Sequence, residues 1–478
     1  MKRYIILLIA TLGLASCTKD LSEINTNTNS PIDAQPSLLF RKVLFDYGEQ
    51  MSFEAFDAGN LLGQYFTMID FNNFDRHALS EPLYAGNPWP FIYKNLRDNE
   101  IVLQKSINNP TFAVYKGPAL VMKAYMTAAL TDLYGDVPYN EALKGKSQIF
   151  TPKYDKQEDI YQGADGILKN LENAITAMTA YTGTNKLDGD IVYNGNLQNW
   201  IKFANSLRIK YLMRISGKVN VAAQLQAIYT AGNYIGANAN NAVFQFSATA
   251  PNNFRITTTR IGDFSLYIMS KTAEEILKNY NDPRLSLFYR PTAGNASLYT
   301  GLINGPDATT NPVTVSNYSL TGTIFRENGA NLKYNYMTAW ETNFFLAEAA
   351  QKGLITAVPK TLYDLAVTQG FEYWNVTMPA TYLTTGPALF NPLSSDALKL
   401  IITQKWIPNN LNGYEAWIEY RRTGFPLLKP VQASRNNGLY PVRMPYPQEE
   451  STLNQANYKA AATATNNNSI NTKVWWNN

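Results

Sequence analysis

Cysteine and histidine are almost missing from this 478-residue chain, which holds one of each, Cys17 and His77. That scarcity excludes metal centres built from several His or Cys ligands. A Ser-His-Asp triad would have to use His77, and no GxSxG motif accompanies any serine. Charged residues are also few, at 16% against the usual quarter. There is no basic run, so nucleic acid is not an expected partner. Gly145-Lys146-Ser147 resembles the end of a phosphate-binding loop, but Asn140 stands where the first glycine is required. It reads as a surface turn.

What is present begins at the N-terminus. Lys2 and Arg3 precede about a dozen apolar residues, Tyr4 to Ala15, and Ser16-Cys17 follow. The apolar run is short of the roughly 20 residues that cross a bilayer, so it reads as a secretory signal. Leu14-Ala15-Ser16-Cys17 resembles a bacterial lipobox, which makes Cys17 the lipid-attachment residue and 1–16 the signal peptide. Cys17 has no second cysteine with which to form an intramolecular disulfide. Acyl chains gain about 0.8 kcal/mol per buried methylene, enough for two or three of them to hold the chain at a membrane. Residues 17–35 are polar and read as a tether. The remainder, 36–478, reads as one domain.

That domain is expected to be all-α. In 198–216, Trp200, Phe203, Ala204, Leu207, Tyr211, Leu212 and Ile215 form a single apolar stripe. Similar stripes predict helices over 157–181 and 113–133. Trp340, Phe344, Ala347 and Ala350 line another helix, stopped by Gly353, and Pro359 opens its partner through Trp374. Such helix–glycine–helix pairs resemble tetratricopeptide-like units. Further helices are predicted over 36–69, 92–108, 265–281, 394–407 and 413–422. Two long polar stretches, 70–91 and 284–335, read as loops. Loops of that length in a compact body are functional or disordered.

Several blocks then resemble the SusD/RagB family. They are Leu130-Thr131-Asp132-Leu133-Tyr134-Gly135-Asp136-Val137-Pro138-Tyr139, Asp190 to Gly195 running into Trp200–Arg208, and Asp282-Pro283-Arg284-Leu285. Phe344 to Ala350, Gln404-Lys405-Trp406, Arg421 to Pro426 and Pro441 to Pro447 complete the set, in family order. The resemblance implies a SusD-like fold with tetratricopeptide-like pairs. It also implies a non-catalytic nutrient-binding lipoprotein on the outer membrane, facing the cell exterior. The ligand would be an oligosaccharide or peptide, and the partner a SusC-like TonB-dependent barrel. The blocks themselves read as scaffold: Gly135 and Pro138 redirect the chain, and Arg421 and Arg422 suit a helix C-terminus.

In relatives the ligand meets loops away from the helical pairs. Here the candidates are Asn72, Phe74, Arg76, His77, Tyr84 and Trp89 in the first loop, with Tyr289, Arg290 and Tyr299 in the second. Aromatic faces cover sugar C–H groups, while amides and guanidinium groups address hydroxyls. Trp89-Pro90-Phe91 has a competing reading as a helix-entry staple in the core. No cofactor is indicated. Structural calcium is left open, although Asp188-Gly189-Asp190 has too few following oxygen ligands for an EF-hand. Two other functions remain in play: a glycoside hydrolase using Glu341 and Glu348, and a structural or adhesion lipoprotein.

Overall fold

The computed structural model describes residues 34–82 and 84–477. Cys17, the signal segment and the tether up to residue 33 lie outside the described residues. The body is mainly helical. Its principal helices are α1 (Pro36–Glu54), α2 (Trp89–Asn108), α3 (Lys116–Tyr134), α4 (Gln157–Gln162), α5 (Ile167–Thr179), α6 (Leu197–Ile215) and α7 (Ala222–Ala231). They continue as α8 (Lys271–Asn279), α9 (Ala339–Gln351), α10 (Pro359–Tyr373), α11 (Ala397–Trp406), α12 (Glu415–Thr423) and α13 (Gln455–Ala464).

Packed helix neighbours build the scaffold: α2 packs on α3, α3 on α5, α5 on α6, and α9 on both α10 and α11. Small residues at the crossings let backbones approach. Ala119, Ala124 and Ala128 are buried in α3, and Ala347 and Ala366 in the later pair. One connected apolar cluster runs from Phe40 to Trp476. Its largest fully buried side chains include Trp200, Trp340, Trp417 and Trp476. Among the described residues, no helix is long and apolar enough to cross a membrane.

Three expected helices are divided. The helix predicted over 36–69 stops as α1, passes through a π-helical turn at Ala55–Gly59 and ends by Leu62. Gly59 makes this close passage possible, since a Cβ there would meet the Gly413 carbonyl oxygen at 2.1 Å. Gln64, at φ 55°, then turns the chain into strand β1 (Phe66–Met68). The helix predicted over 265–281 begins as strand β5 (Tyr267–Met269 when strands are counted along the chain), which pairs antiparallel with β1. Ser270 then caps α8 by accepting the Thr272 N–H at 3.2 Å. The helix predicted over 157–181 breaks between Gly163 and Gly166 into α4 and α5. The other two-stranded ribbons pair β2 (Val137–Pro138) with β3 (Tyr154–Asp155), and β4 (Ala242–Gln245) with β6 (Lys333–Met337).

Candidate functional site

The two long loops are stapled to each other by a buried carboxylate. Asp75 Oδ2 accepts the Thr67 hydroxyl at 2.6 Å, the Gly305 N–H at 2.7 Å and the Met68 N–H at 3.3 Å. Its Oδ1 accepts Asn304 Nδ2 at 2.7 Å, and Asn304 also donates to the Phe66 carbonyl. Burial pushes the Asp75 carboxyl up to about 6 despite these donors. Asn72 adds a second staple, donating to the carbonyls of Met68 and Pro306.

This stapling decides where the expected ligand residues lie. Asn72, Phe74, His77, Trp89 and Tyr289 are all buried. Trp89, the first residue of α2, packs edge-on to Tyr134 with centroids 5.0 Å apart, and also contacts Tyr93, Tyr154 and Tyr446. The helix-entry reading describes it. Tyr289 donates its hydroxyl to the Tyr65 carbonyl at 2.9 Å. His77 donates Nδ1–H to Leu439 O at 3.3 Å, and burial lowers its pKa to about 4. Arg76 is half-buried and bonded to the Ala433 carbonyl. Arg290 pairs with Glu327, and Tyr299 is partly buried, its carbonyl accepting the Lys278 ammonium. Tyr84 differs from all of these, being 61% exposed.

Tyr84 stands at a cavity of about 300 Å³. Phe53 from the end of α1, Asp57 from the π-turn, Met68, Arg255, Arg260 and Tyr267 share its lining. The Arg255 guanidinium lies 4.5 Å over the Phe53 ring and forks onto Glu49 at 2.9 and 2.7 Å. One wall is therefore a rigid, flat cation–aromatic stack. Arg260 is held by Asp263 and exposed at the other side. No sequence signal marks Phe53, Asp57, Arg255 or Arg260 as contributors. Phe53 reads as one more apolar helix residue, and both arginines sit in a stretch rich in Asn and Thr.

A larger cavity of about 750 Å³ lies between α2, α3 and α5. Its lining includes Leu96, Leu103, Leu120 and Leu130, with Lys116, Lys123 and Lys144. It contains none of the loop residues above. Tyr93, Glu100, Tyr139, Asn140, Asp165 and Asn170 also line it, so its chemistry does not set it apart; its walls are scaffold helices, whereas the smaller cavity is the one that holds the exposed loop residue Tyr84.

Glu348, Lys405, Arg421 and Arg422 of the sequence blocks lie in the interior, where they share a network of ions with Lys210, Arg214, Glu341, Glu415 and Glu419. Arg422 forks onto Glu348 at 2.7 and 2.6 Å and reaches both oxygens of Glu419 at 3.0 and 2.6 Å. Lys405 donates to Glu419, Lys210 to Glu341, and Arg214 to Glu415. Arg421 stacks on Trp417 at 3.9 Å and donates to the Asp132 and Val442 carbonyls. Asp190 ties its loop by accepting the N–H groups of Val192, Tyr193 and Gly195 and the Trp200 indole. Burial alone would raise the Glu348 carboxyl, but the Arg422 guanidinium outweighs it and holds the group down to about 2. Glu341 and Glu348 are 0% and 1% exposed, so neither can reach a sugar bond. This removes the carboxylate pair on which the hydrolase reading rested.

Solved structures with this architecture cover almost the whole chain. A SusD homolog from Bacteroides uniformis is 26% identical, with TM-score 0.73, over 93% of this chain and 98% of its own. A SusD homolog from Bacteroides fragilis is 25% identical, with TM-score 0.78, over 93% and 99%. A chitin-binding SusD homolog from Flavobacterium johnsoniae is 21% identical, with TM-score 0.74, over 92% and 97%, a likeness of fold. No curated protein matches the sequence. Residues 27–447 match the model of the SusD-like family described as "Starch-binding associating with outer membrane". With that match spanning most of its length, the chain belongs to the SusD-like family.

Proposed function

We propose that this chain is a non-catalytic glycan-binding lipoprotein of the outer-membrane surface, anchored through Cys17, that passes its ligand to a SusC-like TonB-dependent barrel. The carrying observation is the 300 Å³ cavity, where exposed Tyr84 faces the Arg255–Phe53 wall. Aromatic faces cover the C–H surface of a pyranose, and Arg255, Arg260 and Asp263 address its hydroxyls. Support from relatives is the starch-binding description of the family and the chitin-binding neighbour.

Calorimetry on the soluble chain, with Cys17 and the signal removed, tests this reading with a chitin hexasaccharide and a linear malto-oligosaccharide. One of them is expected to bind. Tyr84→Ala should weaken that binding about tenfold, equivalent to about 1.4 kcal/mol, with an unchanged melting temperature. Unaltered affinity in the variant, or heat from neither glycan, would remove the cavity from the proposal.

A further inference from the structure

Two buried carboxylates, Asp57 in the cavity lining and Glu54 three residues before it, bond to the two residues that follow Tyr84. Asp57 Oδ2 accepts the Ala85 N–H at 2.8 Å. Glu54 Oε2 accepts the Gly86 N–H at 2.8 Å. Each carboxylate also takes a tyrosine hydroxyl, Tyr267 on Asp57 and Tyr414 on Glu54. The turn they hold is a tight one. Gly86 has φ 109°, and a Cβ there would sit 2.6 Å from the Phe74 ring. The π-helical turn at 55–59 begins directly after Glu54 and contains Asp57, and such turns recur at functional sites.

We infer that Glu54 and Asp57 are positioning residues that couple proton uptake to closure of the turn at 84–86, and so to the placing of Tyr84 over the cavity. This rests on reading that cavity as the ligand site. Among the described residues neither carboxylate forms an ion pair. The groups that face them are Tyr134, Tyr267, Tyr414 and each other, with Arg255 acting at a distance while engaged by Glu49. A buried carboxylate without a cation is costly to ionise. Burial accordingly raises both groups to about 7.

The direction of the coupling follows from linkage. The closed turn covers the carboxyls and raises their pKa. Opening it hydrates them and returns them toward 4.5 for Glu54 and 3.8 for Asp57. Protons therefore favour the closed turn, and closure weakens as pH rises through the range below about 7. A neutral acid keeps the geometry: in Asp57 a carbonyl Oδ2 accepts the amide while the Oδ1 hydroxyl donates to the Tyr267 oxygen, and in Glu54 a carbonyl Oε2 accepts both the Gly86 amide and the Tyr414 hydroxyl.

Hydrogen exchange of the Ala85 and Gly86 amides in the soluble chain between pH 5 and 8, corrected for intrinsic rates, reads closure without any ligand. Protection should fall by more than about tenfold across that range, since one pH unit of linkage is a factor of ten. Glu54→Gln should flatten the profile at Gly86, and Asp57→Asn the profile at Ala85, because each amide mimics the neutral acid. Protection independent of pH in the native chain, or an unchanged slope in both variants, overturns the inference. Affinity for the chitin hexasaccharide or malto-oligosaccharide should fall over the same pH range. Amide protection that responds to pH while the affinity of a bound glycan does not would uphold the clamp and overturn the cavity as ligand site.

Discussion

Replacing Arg422 with methionine tests whether the ion network carries the scaffold. The guanidinium is 4% exposed and makes four charge-assisted bonds, two to Glu348 on α9 and two to Glu419 on its own helix α12. Methionine fills much of the volume and removes every bond. Glu348 keeps Lys352 at 2.6 Å and Glu419 keeps Lys405 at 2.8 Å, so each carboxylate is left under-compensated rather than alone. Removing one partner of a buried pair costs about 3–5 kcal/mol. The acid side agrees in direction: Glu348 is held down to about 2, against the cost of burial, by Arg422 with a smaller share from Lys352. A body of about 440 residues unfolds with an entropy near 0.9 kcal/mol per degree. Calorimetric melting at pH 7 should therefore drop by about 3–5 °C. Because the Glu348 pKa is depressed, its contribution is complete above pH 4.5 and is lost as pH falls toward about 2. The variant should show a shallower loss of stability over that interval. A drop under about 1 °C, with an unchanged acid slope, would refute the view that this fork holds α9 against α12.

Trp89→Ala should destabilise the protein by about 3–5 kcal/mol through the cavity it leaves; denaturant unfolding checks this, and near-native stability would return Trp89 to the ligand candidates. Cys17→Ser should leave glycan affinity and melting intact yet release the chain from membranes, as read by fractionation after a high-salt wash. Retention in the membrane fraction would contradict the lipid anchor.

Much of the scaffold is legible in sequence because its causes are local. Helices α6, α9 and α10 are bounded by signals within a turn of their ends: Asn196 accepts the Asn199 N–H, Gly353 takes φ 70°, and Pro359 opens α10. The divided helices fail for a non-local reason. Periodicity over 36–69 continues past Leu62, but the strand pairing that claims Phe66–Met68 comes from Tyr267–Met269, about 200 residues away. The candidate site was less legible still. Asn72, His77 and Tyr289 have the composition of a sugar site and are spent on tertiary bonds to Pro306, Leu439 and Tyr65. Residue type does not distinguish a polar group that awaits a ligand from one already satisfied by a distant backbone.

That distinction explains why the exposed residues are so few. A long loop lying on the body must satisfy its own backbone and side-chain polar groups. Asp75, Asn72 and Asn304 do so by tying two loops together, and Glu54 and Asp57 do so by tying the 84–86 turn to α1 and its π-turn. Of the aromatic residues expected at the site, those bonds leave over Tyr84, which shares its cavity with Arg255 and Arg260. Substitution at Tyr84 alters the cavity without disturbing a buried bond, whereas substitution at Asp75 or Asn304 disturbs both loops together. On the proposed reading of that cavity, variation in ligand chemistry falls on Tyr84 and the arginine-lined wall, carried on a polar framework whose groups are already bonded to one another.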